Sequence, residues 1–407
     1  MFVILIQILV TYWQLSGCLS ATISFQSPIV PVRVLLFILF LPTDQGKKTI
    51  RNEFTLFFLP IDIFCLFLHF NSNVMKIQEV IDYLNSIFVP AYQEDWDNSG
   101  FLMGDSSQEI TGVMIALDLT PTLIDEAIEK GCNLICTHHP FMMRGVKRIT
   151  PSTEEGRMIL KMGTHRLCHY ACHTNLDNMK DGVSGLLAAR LGIEKWQVLR
   201  PMNGLMGKLV TYCPTADADR LRETLCSNRI AGNIGNYDQC SYNTEGTGTF
   251  RAGEGSNPYC GAIGELHREP ETRIEIIYEK RNERKLLQRL LQTHPYEEPA
   301  FDLLPLSNSH PNVGGGAIGM LPSPMKTEEF LQRVKTVTCV PVIRCSGLCR
   351  PSVQRVALCG GSGSFMIGDA KSQGADIYLT GDLKYHDFQQ AEGDIILADY
   401  PLWIAIL

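Results

Sequence analysis

Two adjacent histidines, His138 and His139, close the apolar run of NLICTHHPF, and paired imidazoles at the end of a buried strand suit a metal site. NLIC follows Gly131, and Pro140 cannot continue a central strand, so the pair is predicted at a strand's carboxyl end. Ligands bind at that edge in open α/β sheets. Because neighbouring strand residues point to opposite sides, each histidine is expected to reach a different ion. The blander reading makes the pair structural, one imidazole capping a helix or meeting a core carbonyl and the other solvated. A second segment, CHYACHTNLDN, repeats the layout: a strand-like run, then His173, Asn175 and Asp177 in a polar turn before a helix. Asp177 supplies a carboxylate, which can bridge two metals about 3.5–4 Å apart, the spacing that activates water. Such a donor set accepts zinc, iron, manganese, cobalt or nickel according to geometry and supply.

These turns need a frame, and helical and strand patterns alternate from residue 76 to 195 as a doubly wound α/β plan requires. IQEVIDYLNSIF has helical spacing, GVMIALDL reads as a strand, TPTLIDEAIEKG as a helix opened by Thr120 and closed by Gly131, and EEGRMILKMG as a helix. The carboxyl-terminal part repeats the plan. EKGCNLICTHHP overlays SQGADIYLTGDL with Gly131 on Gly374, Leu134 on Ile377 and Thr137 on Thr380, so two related halves are expected to face each other. In the second copy Gly381 and Asp382 replace the histidines, with His386 one turn on. His173 is expected to support the metal ligands from behind, and Asp382 and His386 either do the same, Asp382 also as a base, or are ordinary cap and surface groups. CGGSGSF, after the strand VQRVAL, offers backbone amides and Ser362 or Ser364 to a phosphate, or forms a tight turn.

Between the halves, residues 201–312 spell β-α-β-β-α-β, a ferredoxin-like plan, through MGKLVTYCP, ADRLRETLCS, TRIEIIYEK, NERKLLQRLLQTH and YEEPAFDLLPL. The expected division is therefore a core first half over 75–200, an insert over 201–312 and a core second half over 313–407. Within the insert, THPYEEPAFDLL places His294, Glu297 and Glu298 in a proline-shaped loop, as a regulatory ligand site or a solvated acidic tip.

From Met75 onward, MKIQEVIDYLNSIFVP, EDWDNSGFLMG, ALDLTPTLIDEAIEKG, THHPF, HTNLD and TGDLKYHDF resemble the NIF-three-like family of GTP cyclohydrolase I type 2 homologs. The insert resembles the PII-type or CutA-like domain of some members. The resemblance implies an α/β core, a dinuclear centre holding two divalent metal ions, a cytoplasmic ring-shaped homo-oligomer, a hexamer, and a small-molecule substrate. It makes His138, His139 and Asp177 ligands. The family name indicates one reaction, opening of a purine imidazole ring by water. The chain departs from the pattern after Asp399: members supply a further histidine and glutamate as ligands there, and this sequence reads ADYPLWIAIL. The expected function is metal-dependent hydrolysis, impaired by that loss. The alternative is a non-catalytic toroidal scaffold or regulatory protein that binds metal.

Composition bounds the rest. A 407-residue chain with 45% hydrophobic residues and net charge −7 can bury two cores and is not a basic nucleic-acid binder. Its 14 cysteines form no C-x-x-C pair, and Cys132, Cys136 and Cys359 lie in apolar runs, as buried reduced thiols do. Cys168 and Cys172 are a weaker zinc alternative. Residues 1–74 hold Phe- and Leu-rich runs broken by Pro and charge. None reaches the roughly 20 apolar residues that span a bilayer. They are expected to be a non-native or disordered extension, with membrane association not favoured.

Overall fold

The computed structural model describes residues 75–400 throughout, and ahead of them only the backbone of three strands, β1 (Ala21–Gln26), β2 (Val34–Phe37) and β3 (Cys65–Phe70). Apart from that backbone, the expectation for residues 1–74 lies outside the described residues, as do residues 401–407. Among the described residues no helix is long and apolar enough to cross a membrane.

Two units emerge, one formed by Pro201–Pro311 and the other by the chain before and after it. The larger unit is α/β. Its first half runs α1 (Ile77–Ile87), β4 (Gly100–Met103), β5 (Gly112–Ala116), α2 (Pro121–Glu129), β6 (Leu134–Thr137), α3 (Glu154–Thr164), β7 (Cys168–Ala171), α4 (Thr174–Asp177) and α5 (Val183–Arg190). The sheet order is β2-β1-β3-β5-β6-β7-β4, with β5, β6 and β7 parallel and β4 antiparallel to β7. Every residue of β5, β6 and β7 is buried, which is why they read as apolar runs without alternation. Thr120 accepts the Leu123 N–H at the start of α2, with Pro121 next, and Thr153 does the same for Gly156 at α3. Met114, Ile124, Ile135 and Met162 pack between sheet and helices.

The second half follows β8 (Glu194–Pro201). In the smaller unit come β9 (Met206–Pro214), α6 (Ala218–Cys226), β10 (Tyr242–Arg251), β11 (Leu266–Glu279), α7 (Glu283–Thr293) and β12 (Phe301–Leu306). Its antiparallel sheet is ordered β10-β11-β9-β12 over Leu221, Leu225, Leu286 and Leu290, and the element order is the β-α-β-β-α-β expected there. The chain returns through β13 (Gly314–Lys326), α8 (Thr327–Thr338), β14 (Arg344–Cys345), β15 (Ser352–Ser362), α9 (Ile367–Ser372), β16 (Ile377–Gly381), α10 (Tyr385–Gln389) and β17 (Ile396–Asp399). These strands and β8 form a six-stranded sheet, β14-β17-β16-β15-β13-β8, with β15, β16 and β17 parallel.

The overlay of the halves has a structural counterpart. Gly131 (φ 67°) and Gly374 (φ 71°) each leave a helix in the left-handed conformation and lead into β6 and β16. Thr137 ends β6 and Thr380 is the last residue but one of β16, both buried. The halves are also bonded by packing, because Leu187 and Ala188 of α5 lie in one core with Phe330, Ile377 and Leu379. Full burial of a side chain such as Phe330 stabilises by roughly 1.5–3 kcal/mol.

Candidate metal centre

The parallel ladder assembles the site. Ala116 of β5 pairs with Thr137 of β6, and Thr137 with Ala171 of β7, so the three strands end level. Asp118 follows the first, His138 and His139 the second, and His173 the third. Gly100 of β4 pairs with Ala171, which brings the WDNSG turn to the same edge.

His138, His139 and His173 each offer one nitrogen, all within 4.8 Å of one another. Their ring centroids are 4.8, 5.3 and 5.4 Å apart. The adjacent rings do not part to opposite faces of the sheet, as strict strand alternation would have them do. Both of their N–H groups bind the Leu117 carbonyl, at 3.2 and 3.0 Å, so the chain has left the pleat and both rings join one cluster.

Each ring is held from behind at Nδ1. His138 meets the Cys172 carbonyl oxygen at 2.6 Å, His139 meets Asp118 Oδ1 at 2.7 Å, and His173 meets Asp97 Oδ1 at 2.7 Å. An acceptor at Nδ1 places the proton there and leaves Nε2 with a free lone pair, the tautomer metal-binding histidines use. Asp177 Oδ2 lies 3.7 Å from His138 Nε2.

The Asp97 side chain is fully buried and organises this edge. Besides His173 it accepts from Ser99 Oγ (2.7 Å), the Thr174 N–H (3.0 Å) and the Thr174 hydroxyl. Asn98 donates to the Met142 carbonyl at 2.5 Å, tying the same turn to the segment after His139. Asn175 and Asn178 anchor α4 through the carbonyls of Phe88 and Tyr92.

The electrostatics are those of a site short of positive charge. Burial, followed by the nearby His139 and His173, pushes His138 well below its usual range. Burial pushes the Asp177 carboxyl up to about 6, partly offset by His173 and His139. Burial alone would raise Asp97 too, but hydrogen bonds from His173, Thr174 and Ser99 outweigh it and hold this carboxyl well below the usual carboxylate range. A cation among these groups would stabilise ionised Asp177 and need no proton on His138. Three Nε2 lone pairs and a carboxylate therefore fit a divalent first-row ion.

Of the residues singled out in sequence, His138, His139, His173 and Asp177 meet here, with His173 a member of the cluster rather than only a group behind it. Asp382 (φ 59°) and His386 are exposed beyond β16 and join no such cluster among the described residues. The amides of Gly360 and Gly363 are taken by Ser184 Oγ (3.1 Å) and Thr380 Oγ1 (2.8 Å), so CGGSGSF serves as a structural turn. His294 is likewise engaged, through Nε2 with the Tyr212 carbonyl at 3.0 Å and through Nδ1 with the Tyr296 N–H at 3.1 Å. Glu297 accepts from the Asn257 N–H. Cys132, Cys136, Cys168, Cys172 and Cys359 are free and buried, and Cys168 and Cys172 belong to no metal-type cluster. Asp97 and Asp118 carried no assigned role. Their signal was positional, an aspartate just before β4 and another just after β5.

An α/β protein with histidines gathered at parallel strand ends is thus defined as a candidate metal-binding protein. A family model described as Duf34/NIF3 (NGG1p interacting factor 3) matches residues 75–399, and the chain belongs to that family. Proteins named GTP cyclohydrolase 1 type 2 homolog are similar to it. The one from Halalkalibacterium halodurans is 42% identical over 291 residues, 71% of this chain and 78% of its own length. That of Bacillus subtilis is 37% identical over 310 residues, 76% of this chain and 83% of its own. A Bacillus cereus protein related to NIF3 superposes with a TM-score of 0.71 at 35% identity, covering 82% of this chain and 90% of its own.

Proposed function

We propose that this protein is a metal-dependent hydrolase whose centre is built on His138, His139, His173 and Asp177. The observation that carries the reading is the threefold support at Nδ1, which leaves three Nε2 donors in one cluster. A bound divalent ion supplies Lewis acidity and lowers the pKa of a coordinated water. The protein's own contribution is placement. Cys172, Asp118 and Asp97 fix the tautomers, Asp177 offers two oxygens of which one can serve a second ion, and the WDNSG turn locks the histidine-bearing loops together. We take the centre as dinuclear, with the ions drawn from zinc, iron, manganese, cobalt and nickel.

Trp96, 62% exposed and edge-on to His173 with centroids 5.9 Å apart, provides a face on which a planar base can stack beside the centre. That agrees with the names of the relatives, and makes a purine nucleotide the first substrate class to try. The family resemblance also supports a cytoplasmic homohexamer.

The test is metal content per chain by elemental analysis, with GTP turnover, for the wild type and the His138→Ala, His139→Ala double variant. Metal and turnover lost together in a folded variant are expected. Metal without turnover on GTP and related nucleotides would sink the enzyme reading and favour a metal-binding scaffold.

A further inference from the structure

The smaller unit carries a second group of donors, unconnected with the histidines above. β10 and β11 pair antiparallel with Phe250 opposite His267, Gly248 opposite Glu269 and Gly246 opposite Glu271. Alternate residues of a strand share a face, so His267, Glu269 and Glu271 project together from β11. The loop from 252 to 265 folds back over this face. Gly264 donates to the Ala252 carbonyl at 2.8 Å, and the Asn257 N–H is held by Glu297 at 2.8 Å. Cys260 is thereby delivered to His267 and Glu269. A donor atom of each of the three lies within 4.8 Å of the others.

The surroundings suit a cation. His267 Nε2 and Glu269 Oε2 are 2.7 Å apart, and the Tyr296 hydroxyl donates to Glu271 Oε1 at 2.7 Å while standing 3.9 Å from Cys260 Sγ. Among the described residues, the ion pairing of Glu269 and Glu271 extends only to His267, so no lysine or arginine neutralises either carboxylate. Phe250 lies edge-on to His267 and Tyr296 and covers one side. Gly261 at φ 79° runs against the imidazole, where a Cβ would come within 2.8 Å of His267 Cγ. Only glycine lets the loop approach this closely.

We propose that Cys260, His267 and Glu269 form a divalent-cation site of the zinc type, its fourth position open to water or another donor. Thiolate, imidazole and carboxylate together are a zinc set, and Zn–ligand bonds of about 2.0–2.3 Å put tetrahedral donors roughly 3.5 Å apart. To reach that spacing the widest separations close by about 1 Å and the His267–Glu269 contact, now 2.7 Å, opens by a similar amount. Binding releases the thiol proton of Cys260, the imidazole proton of His267 moves to Nδ1 so that the Nε2 lone pair meets the ion, and the 252–265 loop is fastened to the hairpin.

Cobalt(II) is the probe, titrated into the full chain after metal removal and dialysis. The core centre presents only nitrogen and oxygen donors, so a thiolate-to-cobalt charge-transfer band in the near ultraviolet arises outside it, and its loss in Cys260→Ser separates this site from the exposed thiols Cys339, Cys345 and Cys349. The expected result is a single equivalent developing this band in the His138→Ala, His139→Ala protein, with the band lost in Cys260→Ser and weakened in His267→Ala while circular dichroism is unchanged. No band, or one undiminished by Cys260→Ser, would overturn the proposal. Cobalt retained without the band by the Cys260→Ser chain measures the core centre separately, so either site can fail without the other.

Discussion

Replacing Asp97 by asparagine keeps its shape and removes its charge, and the structure makes this a demanding test of how the centre is held. The carboxylate is fully buried, and its two oxygens accept hydrogen bonds from His173, the Asn98 N–H, Ser99 and both groups of Thr174. Asparagine keeps one acceptor oxygen and turns an NH₂ toward some of these donors. Hydrogen bonds to charged groups contribute roughly 1.5–3 kcal/mol each, and part of the set survives on the amide oxygen, so a net loss of about 3 kcal/mol in folding stability is expected. His173 loses the acceptor that fixes its tautomer, and removing such a partner weakens metal binding about 10–100-fold, or roughly 1.4–2.7 kcal/mol. The acid limb changes as well. Asp97's folded pKa is depressed, so its stabilisation is present above the unfolded value near 3.8 and is lost as pH falls further. The variant lacks that component. Chelator-competition titration at neutral pH and urea unfolding from pH 7 down to pH 2 measure both effects, with Ser99→Ala as a control that removes one hydrogen bond and no charge. Metal affinity within twofold of wild type would refute the claim that His173 is positioned by Asp97.

Further outcomes follow from the same geometry. Asp118→Asn is expected to cost less than tenfold in metal affinity by the same titration, because the His139–Asp118 pair is 39% and 55% exposed and exposed pairs contribute at most about 1 kcal/mol. Metal binding should weaken as pH falls through about 6, where Asp177 takes up a proton, and level off above it; a flat profile from pH 5 to 8 would exclude Asp177 as a ligand. In metal-free protein the sign reverses. The folded carboxyl retains a proton that the unfolded chain has released, so stability should fall between pH 3.8 and about 6, by at most about 3 kcal/mol, and Asp177→Asn should flatten that part of the urea-measured profile. Trp96→Ala, if a base stacks there, should raise KM for a nucleotide substrate several-fold with kcat and melting temperature little changed.

The parts of this fold written in local pattern were readable in the chain. Thr120, Pro121 and Gly131 bracket a helix by capping chemistry, and the fully apolar strands β5, β6 and β7 announce burial on both faces. The overlay of Gly131 on Gly374 is legible because a left-handed turn into a strand needs the same residue each time. The meeting of the His138 and His139 rings on one side was not, since strand alternation sends neighbours to opposite faces and the bonding of both amides to the Leu117 carbonyl is a feature of the folded turn. Asp97 was hidden for another reason: its partner His173 is 76 residues away, and no periodicity carries that distance. The Cys260 cluster depends in the same way on a loop closing over a strand.

The exit and re-entry of the smaller unit have a thermodynamic consequence. Gly316 lies against Leu199 and Gly319 against Trp196, so β8 and β13 run antiparallel as neighbours, and everything from Pro201 to Pro311 is topologically the loop of one hairpin. A flexible loop of that length would burden closure of the core sheet by roughly 4 kcal/mol of lost chain entropy. The loop closes itself instead. Its first and last strands pair with Met206 opposite Leu306, and His310 donates to the Met202 carbonyl at 2.8 Å, so its two ends are brought to strand spacing by its own sheet. The core has only a few residues on each side left to order, and a sequence change inside the smaller unit can alter that unit's stability without lengthening the loop the core must close.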